Sequence, residues 1–381
     1  KMNDMKGKQG MVCMGLLLVL SSCHTGKQIT ASGLQRKDFQ TEVNGQHTDL
    51  FTLSNKQGME VCITNYGARV VSILVPDRNG KREDVVCGFS TITEYMEQRQ
   101  NFGSTVGRYI GRILNARFTL DGVEYKLVPN NGKSGHISHG GNPGFADRIW
   151  KVEQADTHRV RLSYLSPDGE NGFPGNLKVT LVYSLGEDDN ALDLTYEATT
   201  DAPTVLNLSH HSFFNISGNF TKSVEDQQLW VDADRFTPYD DKKCVTGEYL
   251  QVAGTPLDFR MPHAIGECID ADHPQLKVVN GYDHTWELNT KGDDTRPAAW
   301  VYDPASGRKM EIFTTEPGMQ IYTGNGLKGK MTGKRGIAYP FRSAVCFETM
   351  HFQDSPNQPG FPSTVLRPGE VFRSHTVYKF E

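Results

Sequence analysis

The stretch LKVTLVYSL (177–185) alternates apolar and polar positions, with Leu177, Val179, Leu181, Tyr183 and Leu185 sharing one set. Successive side chains of a β-strand point to opposite faces of a sheet, so the pattern predicts a strand with one buried face. The pattern recurs on both sides, in RVRLSYLS (159–166) and ALDLTYEA (191–198). Frequent Gly (38) and Pro (18) residues punctuate the chain, which favours many short strands joined by turns.

Further from this stretch, strand patterns still dominate. In RFTLDGVEYKLV (117–128), Asp121-Gly122 separates two alternating runs, which predicts a tight hairpin. The best helical segment is STITEYMEQ (90–98), where Thr91 and Glu94 fit a capping box. Short strands and scarce helices predict an all-β antiparallel sandwich or barrel. Since no linker interrupts residues 39–381, we expect a single domain there.

The N-terminal segment has the pattern of an export signal. Lysines precede the apolar run MVCMGLLLVL (11–20), which is about half the length of a membrane-spanning helix. LSSC (20–23) follows and resembles a bacterial lipoprotein cleavage box. We therefore predict a signal peptide (1–22), a lipid-bearing Cys23, a polar tether (23–38) and an exported, membrane-anchored protein on the periplasmic or cell-surface side. The alternative is an ordinary secretory signal with a chance cysteine.

Charge and cysteine content exclude several classes of protein. The formal net charge is -5 and no Lys/Arg block occurs, so no nucleic-acid partner is expected. A membrane is expected as a partner only through the lipid anchor, and the protein is expected to be a monomer. The five cysteines after residue 23 are widely spaced, which indicates neither a disulfide framework nor a CxxC metal pair.

Two further motifs do not support a cofactor or a metal. GNGLKG (324–329) fits G-x-G-x-x-G, but a glycine-rich stretch follows it where a dinucleotide fingerprint needs a helix, so a loop at a pocket rim is expected. HISHGG (136–141) spaces two histidines as a helical metal pair would, but its glycines argue against a helix. The glycines instead suit a close approach of backbone to a ligand, with His139 at the edge. The alternative is that His139 is a structural residue whose hydrogen bonds are satisfied within the protein.

Several polar side chains lie within apolar, strand-like runs. NLSHHSFFNISG (207–218) contains His210 and His211, which a strand would turn to opposite faces. Glu348 lies in AVCFETM (344–350), where a carboxylate is either on a solvated face or is a tuned general base in a pocket. Arg112 could donate several hydrogen bonds to a polar ligand or form a surface ion pair.

Eight stretches occur in an order that resembles the galactose mutarotase (aldose 1-epimerase) family, from about residue 39 to the C-terminus. They are GRYIGRI (107–113), FTLDGVEYKL (118–127), HGG (139–141), NLSHHSFFNISG (207–218), GYDHT (281–285), PGMQIYTGN (317–325), FETMHFQDSPNQP (347–359) and LRPGE (366–370). Each stretch by itself is weak evidence for this family, whereas the eight stretches in this order are specific for it. The resemblance implies a large antiparallel β-sandwich of the galactose mutarotase-like supersandwich type, which binds a hexose in an open cleft and interconverts its anomers.

The resemblance also implies roles for particular residues. Glu348 corresponds to the general base and His211 to the general acid, and the remaining positions, His139, Arg112, Asp283 and Gln320, correspond to groups that bind the sugar.

Three positions depart from the family pattern. His210 and Gly111 stand where asparagine is usual, and Gln353-Asp354 replaces Pro-Asp. The resemblance implies galactose and glucose as substrates, and these departures leave the preference between sugars open.

The implied chemistry needs only two proton-transfer groups. A carboxylate that accepts the anomeric proton and an imidazolium that protonates the ring oxygen would open the ring, with glutamate ionised at neutral pH and the histidine pKa raised by its acidic neighbour. No metal, nucleotide or covalent intermediate is required. The rivals are a glycosidase that uses Asp283 and Glu348, an epimerase of phosphorylated hexoses, and a non-catalytic sugar-binding lipoprotein.

Overall fold

The computed structural model describes residues 29–381. The predicted signal peptide and the predicted lipid-bearing Cys23 lie outside these residues. Within 29–381, no helix combines the length and the apolar character that crossing a bilayer requires. Most of the regular structure there is antiparallel strand, so the all-β prediction is confirmed.

The elements follow one another as short strands with few helices. The first strands are β1 Glu42–Val43, β2 Gln46–His47, β3 Leu50–Ser54, β4 Glu60–Thr64, β5 Arg69–Pro76, β6 Arg82–Asp84, β7 Ser104–Val106, β8 Arg112–Ile113, β9 Arg117–Leu120, β10 Val123–Lys126 and β11 Ile137–Ser138. The next are β12 Lys151–Ala155, β13 Arg159–Ser166, β14 Leu177–Leu185, β15 Ala191–Thr200, β16 Thr204–Val205, β17 Ser209–His211, β18 Phe213–Phe214, β19 Gln228–Val231 and β20 Arg235–Thr237. The last are β21 Leu250–Gln251, β22 His263–Ala264, β23 Asp283–Glu287, β24 Ala299–Tyr302, β25 Lys309–Thr314, β26 Gly318–Tyr322, β27 Val345–Met350, β28 Val365–Leu366 and β29 Phe372–Phe380. The helices are α1 Ile92–Gln98 and α2 Pro274–Val279, with 3₁₀ turns at Arg36–Phe39, Leu114–Ala116, Gly132–Ser134, Phe145–Asp147, Glu170–Gly172, Ile265–Glu267, Lys334–Gly336 and Ser355–Asn357.

One layer of the sandwich is a nine-stranded sheet in the order β12-β13-β14-β15-β29-β25-β24-β19-β22. The three segments of the opening pattern form β13, β14 and β15, which pair in sequence as antiparallel neighbours. The alternating apolar residues of β14 are all buried in the main hydrophobic core. The predicted strands and their buried face are therefore confirmed.

The second layer consists of two smaller sheets packed on the same core. A six-stranded sheet has the order β18-β27-β26-β23-β20-β21, and a four-stranded sheet has the order β3-β4-β5-β6. Apolar residues of all three sheets belong to one cluster. Two buried tyrosines of the large sheet connect the layers: Tyr378 donates to the carbonyl of Phe347, and Tyr183 donates to the carbonyl of Ala68. This arrangement is a β-sandwich, as the resemblance implied.

Local signals in the sequence correspond to the observed turns and caps. Strands β9 and β10 form the predicted hairpin, and both Asp121 (φ 51°) and Gly122 (φ 81°) have the positive φ that a type I′ turn needs. Helix α1 begins after Thr91, whose hydroxyl accepts from the amide of Glu94, while the Glu94 carboxylate accepts from the amide of Thr91. The predicted hairpin and capping box are both confirmed.

The predicted tether is wrong for residues 29–38, which pack against the domain. Leu34 is buried, and Arg36 forms an ion pair with Asp49 at 2.5 Å. The buried carboxylate of Glu60 accepts hydrogen bonds from the amides of Ala31 and Ser32. A buried carboxylate is stable only when donors surround it, and this segment supplies two of them.

Candidate functional site

A polar cavity of about 240 Å³ opens where the six-stranded sheet meets the loops before β8 and after β11. Its volume is below the roughly 300–1,000 Å³ of sites for drug-sized ligands, which suits a molecule the size of a monosaccharide. All six side chains assigned to the site from the sequence line this one cavity, namely Arg112, His139, His211, Asp283, Gln320 and Glu348.

Strand register explains how residues far apart in the chain meet here. Glu348 on β27 lies directly opposite Gln320 on β26, and Gln320 lies opposite Thr285 on β23. Residues directly opposite each other share a face of the sheet, and so do residues two apart on one strand. Asp283 is two residues from Thr285, so it faces the same side as Glu348. The hypothesis that Glu348 lies on a solvated face is wrong, because Glu348 is only 4% exposed.

The centre of the site is a direct contact between His211 and Glu348. Nε2 of His211 lies 3.2 Å from Oε1 of Glu348, and both side chains are buried. The imidazole ring stacks on Phe213 with the ring centroids 5.0 Å apart and the planes 17° apart, which holds its orientation. An acid and a base this close can reach two oxygens bonded to the same carbon.

Burial favours the uncharged form of both groups. Desolvation raises the pKa of Glu348 well above 4.5, and the nearby charge of Asp283 raises it further. Desolvation lowers the pKa of His211 well below 6.5, and His139 lowers it further. The sequence analysis expected an ionised glutamate and a raised histidine pKa. Both pKa shifts run opposite to that expectation, because desolvation is the largest cause for each group.

His139 lies against His211 and is also uncharged. The two ring centroids are 5.6 Å apart in an edge-to-face arrangement. Burial, with the charge of Arg112, lowers the pKa of His139 to about 4. Nδ1 of His139 accepts from the amide of Gly111 at 3.4 Å, so the proton lies on Nε2, where it can be donated to a ligand.

The glycines of HISHGG allow a close approach of backbone, as predicted, although the partner is protein. A Cβ on Gly140 would lie 1.9 Å from the carbonyl oxygen of Gly107, so only glycine fits there. His136, the other histidine of the motif, lies 3.2 Å from the thiol of Cys244 and does not line the cavity. The motif thus positions His139 at the cavity, while His136 contacts Cys244 outside it.

Asp283, Gln320 and Arg112 form the polar wall. Nε2 of Gln320 donates to Oδ1 of Asp283 at 2.7 Å, and Thr285 donates to Oε1 of Gln320 at 2.5 Å, so both side chains have fixed orientations. Burial raises the pKa of Asp283, and the charge of Arg112 opposes this effect. Arg112 donates from Nη1 to the carbonyl of Lys243 at 3.0 Å. Carboxylate, amide and guanidinium groups together can accept from and donate to sugar hydroxyls.

His210 points away from the cavity, as strand alternation predicts. Its Nε2 lies 2.7 Å from the hydroxyl oxygen of Ser212, and its ring packs near Tyr183 and Tyr378 in the core. Burial lowers the pKa of His210 to about 3, so the ring is neutral. His210 is therefore a structural residue.

Other residues that line the cavity were not among the predicted site residues, for two reasons. Phe213, Tyr322 and Met350 each follow an assigned residue by two positions, so strand periodicity could have identified them. Tyr239 and Gln353 reach the cavity from loops, where no periodicity applies. The GNGLKG segment, expected at the rim, does not line the cavity. It forms a turn beside Tyr322, whose hydroxyl accepts from the amide of Gly326.

One group of potential metal ligands occurs among the described residues, and it includes the central pair. Donor atoms of His211, Cys346 and Glu348 lie within 4.8 Å of one another. Nitrogen, sulfur and carboxylate donors suit Zn²⁺. A bound metal would occupy the two groups that are suited to proton transfer.

Comparisons with known proteins agree with one another. The sequence profile described as aldose 1-epimerase matches residues 49–379. The chain is 40% identical to bovine galactose mutarotase over 331 residues, which is 87% of this chain and 93% of the relative. It is 36% identical to the aldose 1-epimerase of Escherichia coli K12 over 340 residues, which is 88% of this chain and 96% of the relative. Among solved structures, an aldose epimerase homologue from C. elegans superimposes with a TM-score of 0.81 and 31% identity, covering 88% of this chain and 99% of that one.

Proposed function

Because the chain belongs to the aldose 1-epimerase family, we propose that its cavity interconverts the α and β anomers of a free hexose through Glu348 and His211. The observation that carries this proposal is the 3.2 Å contact between these two buried groups, which both line a polar cavity. Anomer exchange requires one proton to leave the anomeric hydroxyl and one to reach the ring oxygen. Both oxygens are bonded to C1, so two adjacent proton-transfer groups suffice.

Each ring opening conserves the number of protons in the site. One member of the pair accepts the proton of the anomeric hydroxyl, the C1–ring oxygen bond breaks, and the other member donates a proton to the ring oxygen. Rotation about C1–C2 in the open aldehyde exposes the other carbonyl face. Ring closure then reverses both transfers and forms the other anomer, so the enzyme returns to its starting state.

The pair works with one shared proton. A charged pair (carboxylate and imidazolium) and a neutral pair (carboxylic acid and imidazole) contain the same number of protons, and burial favours the neutral pair. A pair that contains two protons lacks a base, and a pair that contains none lacks an acid. By the resemblance, Glu348 accepts from the anomeric hydroxyl and His211 protonates the ring oxygen. Starting from the neutral pair, these roles require the shared proton to pass first from Glu348 to His211, across their 3.2 Å contact.

The polar wall holds the sugar hydroxyls while the ring opens. Asp283 has an oxygen left to accept, and Arg112 and His139 have donors left to offer. Positioning of this kind lowers the entropic cost of bringing the reacting groups together. We propose glucose and galactose as substrates, because relatives of this chain are galactose mutarotases.

Polarimetry on freshly dissolved α-glucose and α-galactose tests the proposal directly. Glu348→Gln should lower kcat on the order of a hundred- to ten-thousandfold, because the amide cannot exchange a proton while its shape is kept. The matched control is Glu316→Gln, which removes a buried carboxylate that pairs with His351 outside the cavity. An active Glu348→Gln enzyme would remove Glu348 from the mechanism.

The rival functions predict different products. A glycosidase would release reducing ends from a disaccharide, but its second carboxylate, Asp283, is tied to Gln320, and the group in contact with Glu348 is a histidine. A non-catalytic sugar-binding protein would leave anomer exchange at the buffer rate and would not need an acid–base pair. An epimerase of phosphorylated hexoses would need a basic cluster, whereas the cavity lining contains one basic side chain of the Lys/Arg type, Arg112.

We also propose that the protein is exported and anchored through a lipid on Cys23. The support is the sequence pattern of lysines, the apolar run at 11–20 and LSSC. Detergent phase partitioning of the full chain from bacterial membranes tests this proposal. Wild-type protein should enter the detergent phase and Cys23→Ala protein should remain in the aqueous phase, whereas equal partitioning would contradict the anchor.

A further inference from the structure

Gly111 and Gln353 compete for one volume at the wall of the cavity. Gly111 has φ +74°, and a Cβ built on it would lie 2.4 Å from Cγ and 2.9 Å from Cδ of Gln353. Real side chains do not approach this closely, so residue 111 must lack a side chain while Gln353 keeps its observed position. The two positions are also departures from the family pattern, and the structure shows that they are in direct contact.

The amide of Gln353 connects two walls of the cavity. Its Oε1 accepts from the main-chain amide of Arg112 at 3.2 Å. Its Nε2 donates to the hydroxyl of Tyr239 at 2.8 Å and to Oε1 of Gln320 at 3.3 Å. Gln353 is 5% exposed and lines the cavity, so these bonds are largely shielded from water. Its side-chain hydrogen bonds within the described chain go to three residues that line the cavity, Arg112, Tyr239 and Gln320, and none goes to His211 or Glu348.

We propose that Gln353 is a positioning residue that sets which hexose epimer the cavity prefers. It holds the strand of Arg112 at a fixed distance from Gln320, and through Gln320 it affects the orientation of Asp283. A sugar whose C1 lies at the His211–Glu348 pair would turn its other hydroxyls towards these groups, and glucose and galactose differ at one of those hydroxyls. The Gln353 side chain, which packs over Gly111, therefore affects how the sugar hydroxyls are bound and leaves the proton transfers at C1 largely unaffected. This inference rests on the proposed function.

The main test compares Gln353→Ala with the wild type on glucose and galactose. Loss of two or three shielded hydrogen bonds should raise KM roughly 5- to 30-fold, with kcat changed by less than about threefold, because the His211–Glu348 pair keeps its contacts. The ratio of the two KM values should change, since the two sugars present different hydroxyls to the altered wall. Gln358→Ala is the matched control: it removes an amide from the same segment, bonded to Asp354 and outside the cavity.

A double-mutant cycle tests the competition for volume. Gly111→Asn introduces a side chain that tolerates positive φ, and it should raise KM by displacing Gln353. In the double variant with Gln353→Ala, KM should rise by less than the product of the two single increases, because the clash with the Gln353 side chain no longer exists. Multiplicative effects in the cycle would overturn the proposed coupling. KM values within twofold of wild type for both sugars in Gln353→Ala would overturn the positioning role.

Calorimetric titration with each sugar separates failure of this inference from failure of the proposed function. A wild type without anomer exchange would refute the proposed function, while the glucose-to-galactose affinity ratio still decides the role of Gln353. An altered ratio in folded Gln353→Ala supports the inference, and an unchanged ratio contradicts it. If Gln353→Ala does not fold, Gln353→Glu keeps the acceptor for Arg112 but loses the donor to Tyr239, and the same ratio is measured.

Discussion

Strand β17 lies between the closed core and the cavity, and its two neighbouring histidines face opposite sides. His210 faces the closed core, where Ser212 and two tyrosines surround it, and His211 faces the cavity, where Glu348 lies 3.2 Å away. Both rings are buried, and burial lowers the pKa of both. The difference between them is therefore the neighbouring group and access to a ligand, and these decide which histidine takes part in chemistry.

The largest expected effect lies on the cavity side. His211→Ala should lower kcat on the order of a hundred- to ten-thousandfold, because one of the two proton-transfer groups is lost. The free energy of unfolding should fall less than for the same substitution at His210, since the His211 ring borders the cavity and its Nδ1 has no hydrogen-bond partner within the described chain. Polarimetry and urea denaturation measure the two quantities. Wild-type turnover in this variant would contradict a role for His211 in proton transfer.

The opposite pattern is expected on the core side. His210→Ala should lower the free energy of unfolding by about 2–4 kcal/mol, because it leaves a cavity in a closely packed core and removes the hydrogen bond with Ser212. Turnover at a temperature where the variant is folded should stay within about threefold of wild type, as the ring contacts no ligand. A large loss of kcat with unchanged stability would show that His210 acts at the cavity.

The pH profile sharpens the comparison on the cavity side. The active pair contains one proton, so activity falls at acid pH only where His211 gains a second proton, and at alkaline pH only where Glu348 loses its own. Burial lowers the first pKa well below 6.5 and raises the second well above 4.5. We therefore expect kcat/KM, corrected for the buffer reaction, to show no decrease as pH falls from 7.5 to about 6. A midpoint near 6.5 would indicate a solvated histidine.

The smallest effect concerns a third histidine, on the outer face of the large sheet. His375 hydrogen-bonds with Asp193 and Asp294, each at 2.6 Å, and the bond with Asp193 makes the largest contribution in raising its pKa to about 9, against the effect of burial. A raised pKa adds stability that is complete below pH 6.5 and is lost as pH rises through about 9.

His375→Ala should remove this part of the pH dependence. We expect less than about 1 kcal/mol, since the site is partly exposed and solvent screens the charges. The measurement is the difference in free energy of unfolding between wild type and variant at pH 6 and pH 10. A difference that grows toward pH 10 would contradict the assignment. The three histidines thus differ in what controls their pKa. Burial lowers the pKa of His210 and His211, whereas hydrogen bonds with two carboxylates raise the pKa of His375.

Local sequence patterns determined much of the fold. Alternation in 159–198 identified β13 to β15 and their buried face, Asp121-Gly122 identified the hairpin, and Thr91 with Glu94 identified the start of α1. These features follow from interactions between residues close in the chain, or from the periodicity of a single strand. Strand alternation also separated His210 from His211, because it requires no knowledge of the partner strand.

Tertiary structure alone decided the electrostatics and fine shape of the site. Desolvation of Glu348 and His211 depends on everything packed around them, so their pKa shifts could not be inferred from neighbours in sequence. Tyr239 and Gln353 arrive from loops, whose paths no periodicity predicts, and the exclusion between Gly111 and Gln353 joins residues 242 positions apart. Residues 29–38 have the sequence of a polar tether, but they pack on the domain because amides of this segment donate to the buried carboxylate of Glu60 on β4. Sequence thus determined which faces are buried, and long-range packing decided which buried groups are left to act on a sugar.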